Sequence, residues 1–161
     1  MKLSRQMKRI LDRMENGQYF VIAAVNGQAL GGGCEILTAC HYRIATENVT
    51  FSFRQAANGV ITEWGGGVRL IQQIGRSCAM ELLLTSRTLT AAETYQIGLV
   101  EQVVPAEQLM TTAMKLAQQI TSNPAPVIQA FLQLFQTYLI ENFIPDFAID
   151  RTIFMINSRS Q

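Results

Sequence analysis

Apolar positions alternate along the chain between two periods, and the alternation divides it into elements. Lys2 to Asn16 places Leu3, Met7, Ile10, Leu11 and Met14 at helical spacing, with Lys2, Arg5, Lys8, Arg9, Asp12, Arg13 and Glu15 on the other face. Gly17 ends that helix. Val21-Ile22-Ala23-Ala24-Val25 is a short apolar run suited to a buried strand, stopped by the turn signal Asn26-Gly27. Gly31-Gly32-Gly33 follows, and Cys34 to Cys40 suits a short helix. Tyr42 to Ala45 and Thr50 to Phe53 read as two strands. Arg54 to Gly67 reads as a glycine-rich loop around Trp64, with a short strand expected at Val60-Ile61.

The remainder is mostly helical. Val68 to Ile74 and Ser77 to Leu84 each show apolar periodicity and are separated by Gly75. Thr90-Ala91-Ala92-Glu93 is a capping box, so a helix begins there and ends near Gly98. Leu99 to Val104 reads as a strand stopped by Pro105. Ala106 to Thr121 and Pro126 to Glu141 read as amphipathic helices broken apart at Asn123-Pro124, and Asp146 to Ile156 as a last one. Strands alternating with helices predict an α/β architecture with the later helices in a layer of their own. The four or five visible strands make a small sheet, so a further element is expected to complete the core.

A chain of 161 residues is one domain's worth. Charged residues are 16% of it, against about 25% in ordinary globular chains, which predicts that another subunit covers part of the surface. The net charge of +1 and the lack of a basic patch exclude a nucleic-acid reading. No apolar run reaches membrane-spanning length, and the first residues lead into an amphipathic pattern rather than a signal segment. Cys34, Cys40 and Cys78 are odd in number and lack metal-ligand spacing, so no metal is expected and a reducing cytoplasm is the natural setting.

The candidate chemistry sits at the first glycine turn. Three glycines at a helix start let backbone approach a ligand and leave N–H groups unpaired, where the helix dipole favours negative charge. Glu35 lies three residues beyond Gly32, so both fall on roughly one helical face. A carboxylate beside an oxyanion donor suits proton transfer next to a carbonyl. The alternative is a structural turn in which Glu35 caps the first helical turn, and spacing alone leaves both open.

The stretches VIAAVNGQALGGGCE, TFSFRQAANGVITEWGGGVRL and IGRSCAMELLLTSRTLTAAETYQIGLVEQVVP resemble the middle and later portions of the enoyl-CoA hydratase/isomerase (crotonase) family, over Val21 to about Ile156. The resemblance implies a partial spiral of ββα units over residues 1–105 and a helical trimerisation region over 106–161. It also implies a homo-oligomer, trimer or hexamer, and a coenzyme A thioester as substrate, with no permanently bound cofactor. Gly32 would supply one oxyanion N–H to a thioester enolate and Glu35 the first catalytic carboxylate, with Gly31 and Gly33 at the coenzyme-binding turn. The family's second carboxylate falls at Gln55, which cannot give up a proton.

The family's usual Pro-Gly is replaced by Thr62-Glu63, where Glu63 is either a substitute carboxylate or a solvent-facing loop residue. The N-terminal units that donate the other oxyanion N–H, and the C-terminal tail over the coenzyme, are expected to be missing. One oxyanion donor is worth ~3–4 kcal/mol of barrier and an acid or base ~10²–10⁴ in rate. Isomerisation, decarboxylation or another single-base reaction is therefore favoured over efficient hydration. A silent subunit assembling with a full-length relative is the alternative. His41, Trp64, Phe53, Arg69 and Arg76 are secondary candidates, each with a packing or ion-pair role as the simpler account; Phe131, Phe135, Tyr138, Phe143, Phe147 and Phe154 fit subunit packing better than a ligand site.

Overall fold

The computed structural model describes residues 2–143. The expected helix at Asp146 to Ile156, with Phe147 and Phe154, lies outside them. Two compact units divide between Ser122 and Asn123. The first carries β1 (Ile22–Val25), β3 (Tyr42–Thr46) and β6 (Gln102–Val104) in one parallel sheet of order β1-β3-β6. A second sheet joins β2 (Ala29–Leu30), β4 (Thr50–Ser52) and β5 (Leu89–Thr90), with β2 parallel and β5 antiparallel to β4.

Alternation along β3 explains how the first sheet is covered. Ile44 faces one way, into a cluster with Leu109 and Ala113 from α6 (Leu109–Thr121), bordered by Ile22, Ala24, Tyr42 and Val104. Ala45 faces the other way, into the main core with Val25, Phe51, Phe53, Leu70, Leu82 and Leu89. That core is closed by α2 (Gly32–Thr38), α3 (Gly66–Ile74), α4 (Arg76–Thr85) and α5 (Ala91–Gln96). α5 opens on the expected capping box: Thr90 Oγ1 accepts from Glu93 N–H, and the Glu93 carboxylate accepts from Thr90 N–H at 2.8 Å. α6 packs on β1 and β3 and so belongs with the first unit.

Several expected elements differ. Val60 and Ile61 form no strand; they are exposed in the loop that follows a 3₁₀ turn at Ala56–Asn58. β2 and β5 have two residues each, too short to leave an alternating pattern. α2 begins at Gly32 rather than Cys34, and α3 at Gly66 rather than Val68, since glycine carries no apolar period to read. The second unit holds α7 (Ala125–Phe143), on which Val127, Phe131, Leu134, Phe135 and Tyr138 form an exposed apolar stripe.

α1 (Lys2–Glu15) meets the sheet through His41. Its Nδ1 accepts from Val21 N–H at 3.0 Å, so the ring proton sits on Nε2 and is donated to Glu15 C=O at 3.1 Å. The ring also stacks on Phe20. His41 is thus a tie between the end of α1 and the start of β1. Burial lowers its pKa below the ordinary 6.5, partly opposed by Glu15 and reinforced by Arg43.

A folded-state pKa below the unfolded one means that the unfolded chain takes up the proton first on acidification. The His41 contribution is therefore complete above pH 6.5 and is lost as pH falls below it. Denaturant unfolding between pH 7.5 and 5 should show a loss of stability that is shallower in His41→Gln, the difference staying under about 1.4 kcal/mol per pH unit, the limit for one proton. Equal slopes in the two proteins would contradict it.

Candidate functional site

The site is built where the N-termini of α2 and α3 approach each other. Gly31 caps α2 with φ 51° and ψ −109°, a conformation that L side chains rarely adopt, and its N–H is donated to Ser52 C=O at 2.8 Å. This anchors the turn to the end of β4. Gly32 then occupies the first helical position, whose N–H has no acceptor inside the helix. Among the described residues it finds none elsewhere in the protein either. The Trp64 ring lies against Gly32: a Cβ there would stand 2.5 Å from a ring carbon. Gly33, half-buried, sits at the second helical position.

One turn on, Glu35 is 3% exposed. Its Oε1 accepts from Gln55 Nε2 at 3.0 Å, and its Oε2 from Trp64 N–H at 2.9 Å and Gly66 N–H at 3.0 Å. Gly66 is the first residue of α3, so the carboxylate also sits at the positive end of that helix. A carboxylate has about four acceptor positions. Oε2 has filled both of its own, and the open one lies on Oε1, beside Gln55. Cys34, the residue before it on α2, is no nucleophile, because burial pushes its thiol up to about 12.

Gln55, 8% exposed, turns its amide nitrogen to Glu35, and its buried Oε1 has no partner among the described residues. A buried carbonyl oxygen without a donor is costly, and it marks a place able to receive a hydrogen bond. The site therefore carries one carboxylate and one amide where two acids could have stood. Glu63 is exposed on the loop. Phe53 is core at 1% exposure. Arg76 is exposed, whereas Arg69 is buried and pairs with Asp12 and Glu15.

The two donors on Oε2 are backbone groups, which no side-chain motif announces. The signal that could have located them is the second glycine run, Gly65-Gly66-Gly67, next to the only tryptophan. A Cβ on Gly66 would lie 2.4 Å from Glu35 Cγ, and one on Gly67 2.6 Å from Thr62 Oγ1. Both glycines are demanded by close approach.

A family model described as Enoyl-CoA hydratase/isomerase matches residues 2–160. A short-chain-enoyl-CoA hydratase of Clostridium acetobutylicum is 43% identical over 119 residues, covering 74% of this chain and 45% of that protein. The crystal structure of an enoyl-CoA hydratase from Bacillus anthracis superposes with a TM-score of 0.81 at 34% identity, over 83% of this chain and 52% of that one. A Thermobifida fusca protein solved in complex with CoA superposes at 0.84 and 25% identity, over 98% and 62%. The chain spans about half the length of the curated relatives it matches.

Gly66→Ala should drive its methyl group into Glu35 and lower stability by about 1–3 kcal/mol, the usual cost of overpacking. Ala at the exposed Gly27, where a Cβ meets nothing within 4 Å, is the control. Denaturant midpoints of the two variants check the contrast, and equal midpoints would show that the Gly66 contact yields freely.

Proposed function

The chain belongs to the enoyl-CoA hydratase/isomerase family, and on that premise we propose that it processes an acyl-CoA thioester through an enolate, with Glu35 as its one proton-transferring carboxylate. The observation that carries the reading is the placement of Glu35. It is buried and held by three N–H donors, with a single acceptor position left on Oε1. It lies one helical turn from the Gly32 N–H, for which the described residues offer no acceptor. The Gly32 amide, at the start of α2, is suited to accept charge building on a thioester oxygen. Gly31 and Gly33 keep the backbone bare so that the thioester can come close.

Hydration of an α,β-unsaturated thioester is the reaction we assign. Water would donate one hydrogen to the open position on Glu35 Oε1, beside the Gln55 amide. Its oxygen bonds to the β-carbon as the C=C electron pair moves to the thioester oxygen. The proton taken by Glu35 then passes to the α-carbon as the enolate collapses. Gln55 orients the carboxylate through its amide N–H and transfers no proton, so a single carboxylate acts in turn as base and acid. The names of relatives such as the Clostridium short-chain-enoyl-CoA hydratase support hydration. The reading that Gln55 favours on its own, migration of the double bond by the same carboxylate, predicts a different product from the same substrate.

The exposed stripe on α7 supports assembly into a homo-oligomer, a trimer or hexamer, through the region 106–161. Among the described residues no helix is long and apolar enough to cross a membrane.

Glu35→Gln should reduce turnover of a short enoyl-CoA by ~10²–10⁴ while leaving thioester affinity within a few-fold. Turnover is followed by loss of the conjugated enoyl absorbance, and affinity by calorimetry. Chromatography of the product distinguishes a 3-hydroxyacyl thioester from a shifted double bond. Unchanged turnover in the variant would remove Glu35 from the mechanism.

A further inference from the structure

We propose that Arg69 is a positioning residue for Glu35, acting through the Trp64 peptide, and that α1 is the support against which it works. The proposal rests on Glu35 as the proton-transferring group.

Arg69 is 4% exposed and uses its three nitrogens on three different partners. Nη1 donates to Trp64 C=O at 2.8 Å, Nη2 to Asp12 Oδ1 at 2.7 Å and Nε to Glu15 Oε2 at 2.7 Å. The residue that offers its carbonyl to Arg69 also offers its N–H to Glu35 Oε2. Trp64 is therefore held on both of its backbone polar groups, one by a buried cation and the other by a buried anion. The two charges never touch, and the residue between them transmits position from one to the other.

Loss of the grip on the carbonyl would free Trp64 and, with it, one of the two donors that fill Oε2. Glu35 could then turn about its own side-chain bonds, and the open position on Oε1 would no longer point in one direction. The same shift would lift the indole from Gly32, which it touches. Both halves of the site, the carboxylate and the oxyanion amide, thus depend on where this loop is held.

α1 supplies what the guanidinium needs to stay in place. Asp12 and Glu15 are three apart on one helical face, and both reach the same cation. His41 pins the end of that helix to β1 through the carbonyl of Glu15, so the carboxylates are presented from a fixed frame. Arginine is required because its planar fork reaches three separate acceptors, whereas a lysine ammonium is a compact point charge on a flexible stem.

The test uses the single tryptophan as a local reporter. In purified Arg69→Lys, folding is checked by far-UV circular dichroism and cooperative unfolding. We expect a red shift of the Trp64 emission, a fall in kcat of about 10- to 100-fold, and a KM within about twofold of the parent. A merely structural loss would leave the surviving folded protein with parental emission and kcat, and that result overturns the proposal. If Arg69→Lys does not fold, Glu15→Gln, which removes one support at a half-buried position and keeps the Trp64 contact available, should shift emission and kcat in the same direction; parental values for both overturn it equally. Glu35→Gln, assayed alongside, separates the two ideas. Retained turnover there sinks the assignment of Glu35, whereas an inactive Glu35→Gln with unaltered Arg69 and Glu15 variants sinks only the role of Arg69.

Discussion

The structure turns on a buried negative charge that is solvated by protein instead of water. An ionised carboxylate in an apolar setting is tolerated only when hydrogen-bond donors replace its hydration. Glu35 has three of them, from Gln55, Trp64 and Gly66, and the start of α3 adds its dipole. This satisfaction is deliberately uneven, with Oε2 saturated and Oε1 open on one side. The result is an acceptor with a fixed direction, which a freely solvated glutamate would lack.

That one anion dictates the local sequence around it. For the Gly66 N–H to reach Oε2, α3 must begin against the Glu35 side chain, and at 2.4 Å from Cγ there is no room for a Cβ. For Trp64 N–H to reach the same oxygen, the loop must fold back over α2, and its indole then lies where a Cβ on Gly32 would stand. The two glycine triplets answer each other across this contact. The first frees an N–H at the start of α2, and the second brings the start of α3 up to the carboxylate.

Charge is scarce in this chain, and much of it is used as ties between elements. Arg69 gathers α1, the Trp64 loop and α3. Arg43 does the same at the other end of α2, bonding Leu37 C=O and Cys40 C=O while pairing with Glu101 before β6. A buried ion pair adds little net stability over an apolar contact, because desolvation offsets most of the attraction. Its value is directional: several fixed donors on one cation hold segments of the chain in one arrangement.

What could be read from the residues alone was whatever leaves a repeating or chemical mark. The helical stripe of α1, the capping box at Thr90, the β1 run and the helix break at Asn123-Pro124 are local patterns, and they recur in the fold as read. Gly32 and Glu35 were legible together because helical spacing by itself puts them on one face. The two-residue strands β2 and β5 were not, since they exist only through pairing with β4. Nor was the absence of a strand at Val60-Ile61, where propensity found no partner to pair with. Arg69 read as a surface residue paired with an acid; the pairing is there, but the residue is buried and its acids lie more than fifty residues away in sequence. The donors on Glu35 Oε2 are main-chain groups that every residue but proline owns, so nothing in the order of side chains could single out those two. The sequence by itself determined the helical periods, the cap and the spacing that sets Gly32 and Glu35 on one face; only the packing of α3 and its loop against α2 decided which way the carboxylate points, because that direction is set by contacts between segments the chain keeps apart.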